Sequence, residues 1–355
     1  PEAFDVGRNI ATTPGKVVFQ NNLIQLLQYS PSTDEVNIRP LLITPPWINK
    51  FYVLDLQPKN SLIKWAVDQG LTVFVVSWVN PDEKLATKSF KDYMLEGLLS
   101  AVDAVEAATG VSEINAIGYC IGGTLLASTL AYMAEKGDDR IKSATFFTAL
   151  VDFAEVGDMS VFIDDEQIAL MEEHMNKKGY LEGSHMSTVF NMMRDNDLIW
   201  SFIVNNYLMG RRPLPFDLLY WNSDSTRMPV MMHSFYLRNM YLENKLVEPG
   251  AISLAGVPID LGKIKIPTYI LSTRDDHIAP WQSTYSATDL YSGSKRFVLS
   301  ASGHIAGVVN PPVKEKYCYW TNSKMPKAAD AWFEGAKRQE GSWWPDWDKW
   351  LKKHA

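Results

Sequence analysis

The chain has 355 residues, of which 46% are hydrophobic and 21% are charged, a composition typical of a globular protein with a large core. Its formal net charge of −7 and the lack of a basic block argue against nucleic acid as a partner. Only two cysteines are present, Cys120 and Cys318, so no disulfide framework is indicated. Neither a signal peptide nor a transmembrane span is indicated, and we expect a cytoplasmic protein.

The first part of the chain predicts strands that alternate with helices. Apolar, β-branched runs predict the strands, and amphipathic spacing predicts the helices between them. In chain order, we predict a hairpin over 16–29, a strand at 39–44, a helix at 60–69, a strand at 71–78, a helix at 90–108 and a strand at 143–150. This alternation favours an α/β fold with a mostly parallel sheet that is covered by helices on both faces.

The most informative segment is 114–123, which reads INAIGYCIGG. An apolar strand leads into Gly118-Tyr119-Cys120-Ile121-Gly122 and then into a predicted helix, which is the pattern of a nucleophile elbow. We therefore predict that Cys120 is a nucleophile, the alternative being a small buried cysteine between helix-packing glycines. A thiolate that attacks a thioester forms another thioester, so this residue type favours acyl transfer over hydrolysis.

A cysteine nucleophile needs a base, and the base needs an acid that orients it. Two later apolar runs, 267–273 and 295–300, predict further strands. Asp276 follows the first and His304 follows the second, at the edge where open α/β sheets carry their chemistry. We predict a triad of Cys120, His304 and Asp276, with Asp275 as the rival acid.

Further residues are predicted to assist this triad. The backbone N–H of Ile121 is the expected first donor of an oxyanion hole, and Ile48 or Asn49, after the strand at 39–44, is the second. His277, next to the acid, is a candidate supporting residue. The remaining histidines receive no role: His174, His185, His233 and His354. No spacing of cysteine and histidine indicates a metal site.

The alternation of strands and helices stops at residue 152 and resumes after residue 256. Helical segments dominate between these points, and eleven of the fourteen methionines lie there. We predict a first core part at 1–151, a helical cap or lid at 152–256 and a second core part at 257–355. The methionines indicate either core filler or an adaptable lid that buries Cys120, excludes water and supplies most of a two-fold interface.

With these residues in place, the chain resembles the class I polyhydroxyalkanoate synthases, bacterial polyester polymerases with an α/β-hydrolase fold. The resemblance extends over essentially the whole chain and depends on seven motifs in the same order. The motifs are PPWINKFY at 45–52, DLQP at 55–58, GYCIGG at 118–123, PFDLL at 215–219, DDHIAPW at 275–281, GHIAGV at 303–308 and SWWPDW at 342–347.

The resemblance implies polymerisation of (R)-3-hydroxyacyl-coenzyme A, with release of coenzyme A, through an acyl-thioester on Cys120. It implies that nucleophile, acid and histidine are Cys120, Asp276 and His304, and it thereby favours Asp276 over Asp275. It further implies a homodimer at the surface of cytoplasmic polymer granules, with no cofactor besides the thioester substrate. The alternatives are a cysteine hydrolase of the dienelactone hydrolase type and a non-catalytic granule-binding protein.

Overall fold

A computed structural model describes residues 3–193 and 216–355. The strands are β1 (Gly15–Gln20), β2 (Ile24–Tyr29), β3 (Leu41–Thr44), β4 (Val73–Trp78), β5 (Ile114–Tyr119), β6 (Ile141–Phe147), β7 (Tyr180–Leu181), β8 (Met228–Pro229), β9 (Ser253–Leu254), β10 (Val257–Pro258), β11 (Thr268–Thr273), β12 (Lys295–Ser300), β13 (Cys318–Thr321) and β14 (Lys337–Glu340). The α-helices are α1 (Leu62–Asp68), α2 (Phe90–Asp92), α3 (Ser100–Thr109), α4 (Ile121–Lys136), α5 (Asp165–Lys178), α6 (Gly183–Met193), α7 (Asp217–Ser223), α8 (Val230–Phe235), α9 (Trp281–Tyr285), α10 (Ala287–Leu290), α11 (Ala329–Glu334) and α12 (Trp344–Leu351).

Ten of the strands form one sheet in the order β1-β2-β4-β3-β5-β6-β11-β12-β13-β14. The six strands from β4 to β12 are parallel to one another, whereas β1 with β2 and β13 with β14 add antiparallel pairs at the two edges. The mostly parallel sheet matches the sequence prediction. The antiparallel edge formed by β13 and β14 was not predicted, because both strands are short and carry charged or half-buried side chains.

The central strands are apolar because they are buried on both faces. β4 reads VFVVSW and β5 reads INAIGY, and nearly every one of these residues is buried. In the ladder, Thr44 lies opposite Gly118, and Thr273 lies opposite Ser300. The carboxyl ends of β3, β5, β11 and β12 therefore meet at one edge of the sheet.

The core has two parts, one on each face of the sheet. One part is built on α3 and α4, and it continues into residues of segment 152–256. The other is built on α1 and the C-terminal helix α12, where Trp343, Trp344 and Trp347 are fully buried. Helices thus cover both faces, as the alternation of elements predicts.

Segment 152–256 separates β6 from β11 and is mainly helical where it is described. It contains α5 to α8 and a π-helix at Tyr236–Leu242. Two short antiparallel pairs, β7 with β8 and β9 with β10, were not predicted, and β10 lies across the predicted boundary at residue 256. Residues 194–215, including Pro215 of the 215–219 motif, lie outside the described part, and the division into three parts stays a prediction.

Candidate active site

Cys120 lies on the tight turn between β5 and α4, as the glycine pattern predicts. Its backbone has φ 54° and ψ −126°, a conformation that a residue with a side chain rarely adopts. The turn leaves no room for a Cβ at its glycines: one added to Gly118 would lie 2.5 Å from the Cα of Gly123, and one added to Gly122 would meet the carbonyl oxygen of Thr44. These contacts hold the cysteine on a strained turn at the edge of the sheet.

Asp276 and His304 come together at the same edge. The Asp276 carboxylate accepts hydrogen bonds from the backbone N–H groups of Ile278 and Ala279, at 2.9 and 2.8 Å. Its other oxygen lies 2.7 Å from Nδ1 of His304, and both side chains are buried. Asp275, the rival acid, is exposed to solvent. The structure thus places Asp276 rather than Asp275 against the histidine.

Cys120 and His304 interact electrostatically across the cavity floor. Burial lowers the pKa of His304, but the negative charges of Asp276 and Cys120 outweigh burial and raise it to about 10. The site therefore stabilises an imidazolium ion. Because Asp276 occupies Nδ1, the second ring nitrogen of His304 is left for the cysteine, which is the arrangement that a cysteine nucleophile requires.

Three hydrogen bonds that the sequence analysis missed hold the His304 loop in place. The buried hydroxyl of Tyr119 donates a hydrogen bond to the His304 carbonyl oxygen at 2.9 Å. From α12 and the residue before it, the indole N–H groups of Trp344 and Trp343 donate to the carbonyls of Val308 and Gly307, each at 2.9 Å. The C-terminal tryptophan motif thus supports the loop that carries His304.

The predicted oxyanion residues surround the cysteine. Ile121 begins α4, and the first N–H groups of a helix have no intrahelical partner. Ile48 and Asn49 line the same cavity as Cys120. The Ile48 carbonyl accepts a hydrogen bond from the Thr226 N–H at 2.8 Å, which ties this loop to segment 152–256. Which amide would bind an oxyanion stays a prediction.

A cavity of about 340 Å³ opens in front of Cys120. His304 and His277 lie on its sheet side, and most of the opposite wall comes from segment 152–256, including Met171, Met186 and Leu237. Cys120 is partly exposed rather than fully buried, which differs from our expectation, because this cavity lies directly over the turn. The segment therefore covers Cys120 with apolar side chains but leaves space above it.

A pair of tyrosines in this wall was also missed. Tyr236 and Tyr241 pack edge to face, with ring centroids 5.2 Å apart. Burial, together with the charge of Cys120, raises the pKa of both hydroxyls above 10. The two residues share one face because they lie five positions apart on a π-helix, whose hydrogen bonds join residues i and i+5. An α-helical period does not predict that pairing.

The fold and the site can now be compared with known proteins. Residues 53–311, more than half of the chain, match the family model described as the alpha/beta hydrolase fold. The chain therefore belongs to the α/β-hydrolase family, and the predicted fold class is confirmed.

Within that family, the resemblance to polyester polymerases is also confirmed. Residues 1–66 match the model described as the N-terminus of poly-beta-hydroxybutyrate polymerase (PhaC). Over 99% of its length, the chain is 58% identical to the poly(3-hydroxyalkanoate) polymerase subunit PhaC of Rhizobium meliloti and 55% identical to that of Rhizobium etli. It is 54% identical to the poly(3-hydroxyalkanoate) polymerase of Methylorubrum extorquens. The chain covers 57%, 55% and 58% of the length of these three relatives.

Two negative findings concern the described part of the chain. In residues 3–193 and 216–355, every helix is too short or too polar to span a bilayer. The same residues contain no group of three or more His, Cys, Asp and Glu side chains arranged to hold a metal ion.

Proposed function

We propose that this chain catalyses the polymerisation of (R)-3-hydroxyacyl-coenzyme A into a polyester, with release of coenzyme A. The observation that carries the proposal is the cysteine on a strained elbow, which interacts electrostatically with a histidine that is itself paired with a buried carboxylate. The similarity to poly(3-hydroxyalkanoate) polymerases over nearly the whole chain supports the choice of substrate and product.

In the first half-reaction, His304 takes the proton from the thiol of Cys120. The thiolate attacks the carbonyl carbon of the acyl-coenzyme A, and the tetrahedral oxyanion is held by backbone N–H groups near Ile121. The bond between that carbon and the coenzyme A sulphur then breaks. The departing sulphur takes the proton from His304, so that free coenzyme A leaves and the acyl group remains on Cys120 as a thioester.

In the second half-reaction, the 3-hydroxyl group of one unit attacks the carbonyl carbon of an acyl-thioester. The hydroxyl proton passes to His304, a carbon–oxygen bond forms, and a carbon–sulphur bond breaks, which releases a thiol and lengthens the chain by one ester. Asp276 holds the charged imidazole throughout, because its carboxylate lies 2.7 Å from Nδ1. This chemistry uses no cofactor beyond the thioester substrate.

Segment 152–256 acts as a lid in this proposal. An acyl-thioester on Cys120 is lost if water reaches it, and the apolar wall of the cavity keeps water away. We further propose that the active form is a homodimer that works in the cytoplasm at the surface of the polymer granule. Exposed apolar side chains of the segment, such as Leu170 and Met231, would contribute to those contacts.

The decisive test is an assay with (R)-3-hydroxybutyryl-coenzyme A in which free thiol and insoluble polymer are followed together. We expect thiol and polymer in proportion. Thiol with only soluble 3-hydroxybutyrate would favour the cysteine hydrolase, and neither product would favour a non-catalytic granule-binding protein. A Cys120→Ala variant must release no thiol, whereas Cys318→Ala, which alters the other cysteine on β13, must keep the activity.

A further inference from the structure

One polar side chain in the wall of the cavity has no part in the triad. His233 lies on α8, lines the same cavity as Cys120 and is only 2% exposed. Most of the lining is apolar and includes Met186, Met228 and Leu237. An imidazole is an expensive group to bury in such surroundings unless its nitrogens are hydrogen-bonded.

Neither ring nitrogen of His233 has a hydrogen-bond partner within the described part of the chain. The adjacent polar ring, Tyr236, has its centroid 6.5 Å away and packs edge to face against Tyr241. Burial lowers the pKa of His233 to about 4, so the ring is neutral at pH 7 and offers one N–H donor and one bare acceptor nitrogen. Buried polar atoms of this kind are normally satisfied. Both nitrogens are shielded from the cavity in this state, so a polar group of a ligand would pair with them once the ring turns towards it.

We propose that His233 binds the 3-hydroxyl group of the acyl substrate and thereby selects hydroxyacyl over plain acyl thioesters. The inference rests on the proposed function, since it assumes that the acyl group enters the cavity in front of Cys120. The apolar lining suits the hydrocarbon part of that group. Its hydroxyl needs a partner, and a hydroxyl both donates and accepts, so it pairs with either nitrogen of a neutral imidazole.

The test compares two substrates that differ only in that hydroxyl group. Single-turnover acylation of Cys120 is measured with (R)-3-hydroxybutyryl-coenzyme A and with butyryl-coenzyme A, in the wild type, His233→Phe and His233→Gln. The matched control is His174→Phe, which alters an exposed histidine of the same segment. A site built to bind a hydroxyl discriminates strongly against the analogue that lacks it, because its polar groups are then left unpaired.

We expect His233→Phe to lower kcat/KM for the hydroxyacyl substrate by about ten- to hundredfold and to leave butyryl-coenzyme A within about twofold. His233→Gln, which keeps a donor and an acceptor, should recover part of the preference, and His174→Phe should resemble the wild type. Equal losses with both substrates would overturn the inference and make His233 a structural residue. An unchanged preference, or a defect in chain elongation alone, would overturn it as well.

A second measurement avoids the substitution of His233. In Cys120→Ala protein labelled with ¹⁵N at histidine, both thioesters bind without reacting, and the ring nitrogens of His233 are followed by NMR. The hydroxyacyl thioester should shift one ring nitrogen, and the butyryl thioester should not; identical spectra would contradict the inference. If the wild type makes no polymer from the hydroxyacyl substrate, the proposed function fails; if it makes polymer without any role for His233, only this inference fails.

Discussion

The two walls of the active-site cavity are built in different ways. The sheet wall carries charge and hydrogen bonds: Asp276 is held by two backbone N–H groups, and it in turn holds His304. The opposite wall, from segment 152–256, carries methionine, aromatic and aliphatic side chains with a few isolated polar groups such as His233. We infer that residues of the sheet wall carry out the bond-making steps, whereas segment 152–256 controls which substrates, and how much water, reach Cys120.

This division predicts that substitutions in the two walls will impair the reaction in different ways. A change in the sheet wall should reduce turnover for every thioester, because each one depends on the same nucleophile and base. A change in the segment should instead alter the preference among substrates or the share of water that enters. The following experiments measure both kinds of effect on the two walls.

The largest effect is expected for Cys120→Ala. Without the sulphur, no acyl-enzyme forms, and we expect the release of coenzyme A to fall by at least about 10⁴-fold. The measurement is thiol release under excess thioester, with circular dichroism to verify the fold. Cys318→Ala is the control; a loss of activity in that variant with survival in Cys120→Ala would reverse the assignment of the nucleophile.

Asp276→Asn should have the next largest effect. The amide cannot stabilise the imidazolium ion as a carboxylate does, and we expect losses of about 10²- to 10⁴-fold. Rapid-quench measurements separate acylation of Cys120 from chain growth. If the carboxylate mainly activates the 3-hydroxyl group, acylation survives better than growth; if it only orients His304, both steps fall together. Asp275→Asn, at the exposed neighbour, should leave both rates nearly unchanged.

The two walls should also respond to pH in opposite directions. The pKa of His304 is raised to about 10, so its contribution to stability is complete below pH 6.5 and is lost as the pH rises towards 10. The pKa of His233 is lowered to about 4 by burial, so the unfolded chain takes up a proton there before the folded chain does, and stability is lost as the pH falls from 6.5 towards 4.

Urea unfolding of the wild type, His304→Gln and His233→Gln from pH 4 to 10 would measure these contributions. Each wild-type-minus-variant difference should change by at most about 1.4 kcal/mol per pH unit within its own window. The difference for His304 should shrink as the pH rises, and that for His233 should shrink as the pH falls. A flat difference in either window would contradict the charge state assigned to that histidine.

The sheet wall could be predicted from the sequence, and most of the other wall could not. Cys120 was identifiable because Gly118 and Gly122 flank it after an apolar strand, and a strand-end position indicated Asp276 and His304. Sequence position alone could not choose between Asp275 and Asp276, since that depends on which side chain turns inward. The resemblance to known polymerases favoured Asp276, and the structure gives the physical reason.

Residues of segment 152–256 acquire their environment through contacts with distant parts of the chain. Tyr236 and Tyr241 meet only because a π-helix changes the period. His233 was given no role because the sequence predicts no strand before it, and its burial depends on how α8 packs. The pair of β7 with β8 consists of two-residue strands, which leave no periodic signal at all.

The smallest effect is expected from a change in the apolar wall. Met186 lines the cavity and is nearly buried, and shortening it to alanine would leave space beside Cys120 for water. Because an acyl-thioester on Cys120 reacts with water as well as with a hydroxyl group, we expect the ratio of soluble 3-hydroxybutyrate to polymer to rise by about two- to fivefold, while the rate of the first acylation stays nearly constant.

Met133→Ala is the matched control, since Met133 is buried on α4 away from the cavity, and its substitution should cost similar stability without admitting water. An increase in both variants would trace the effect to general loosening of the fold, whereas a slower first acylation in Met186→Ala would mean that the segment takes part in bond making and that the two walls are not separate.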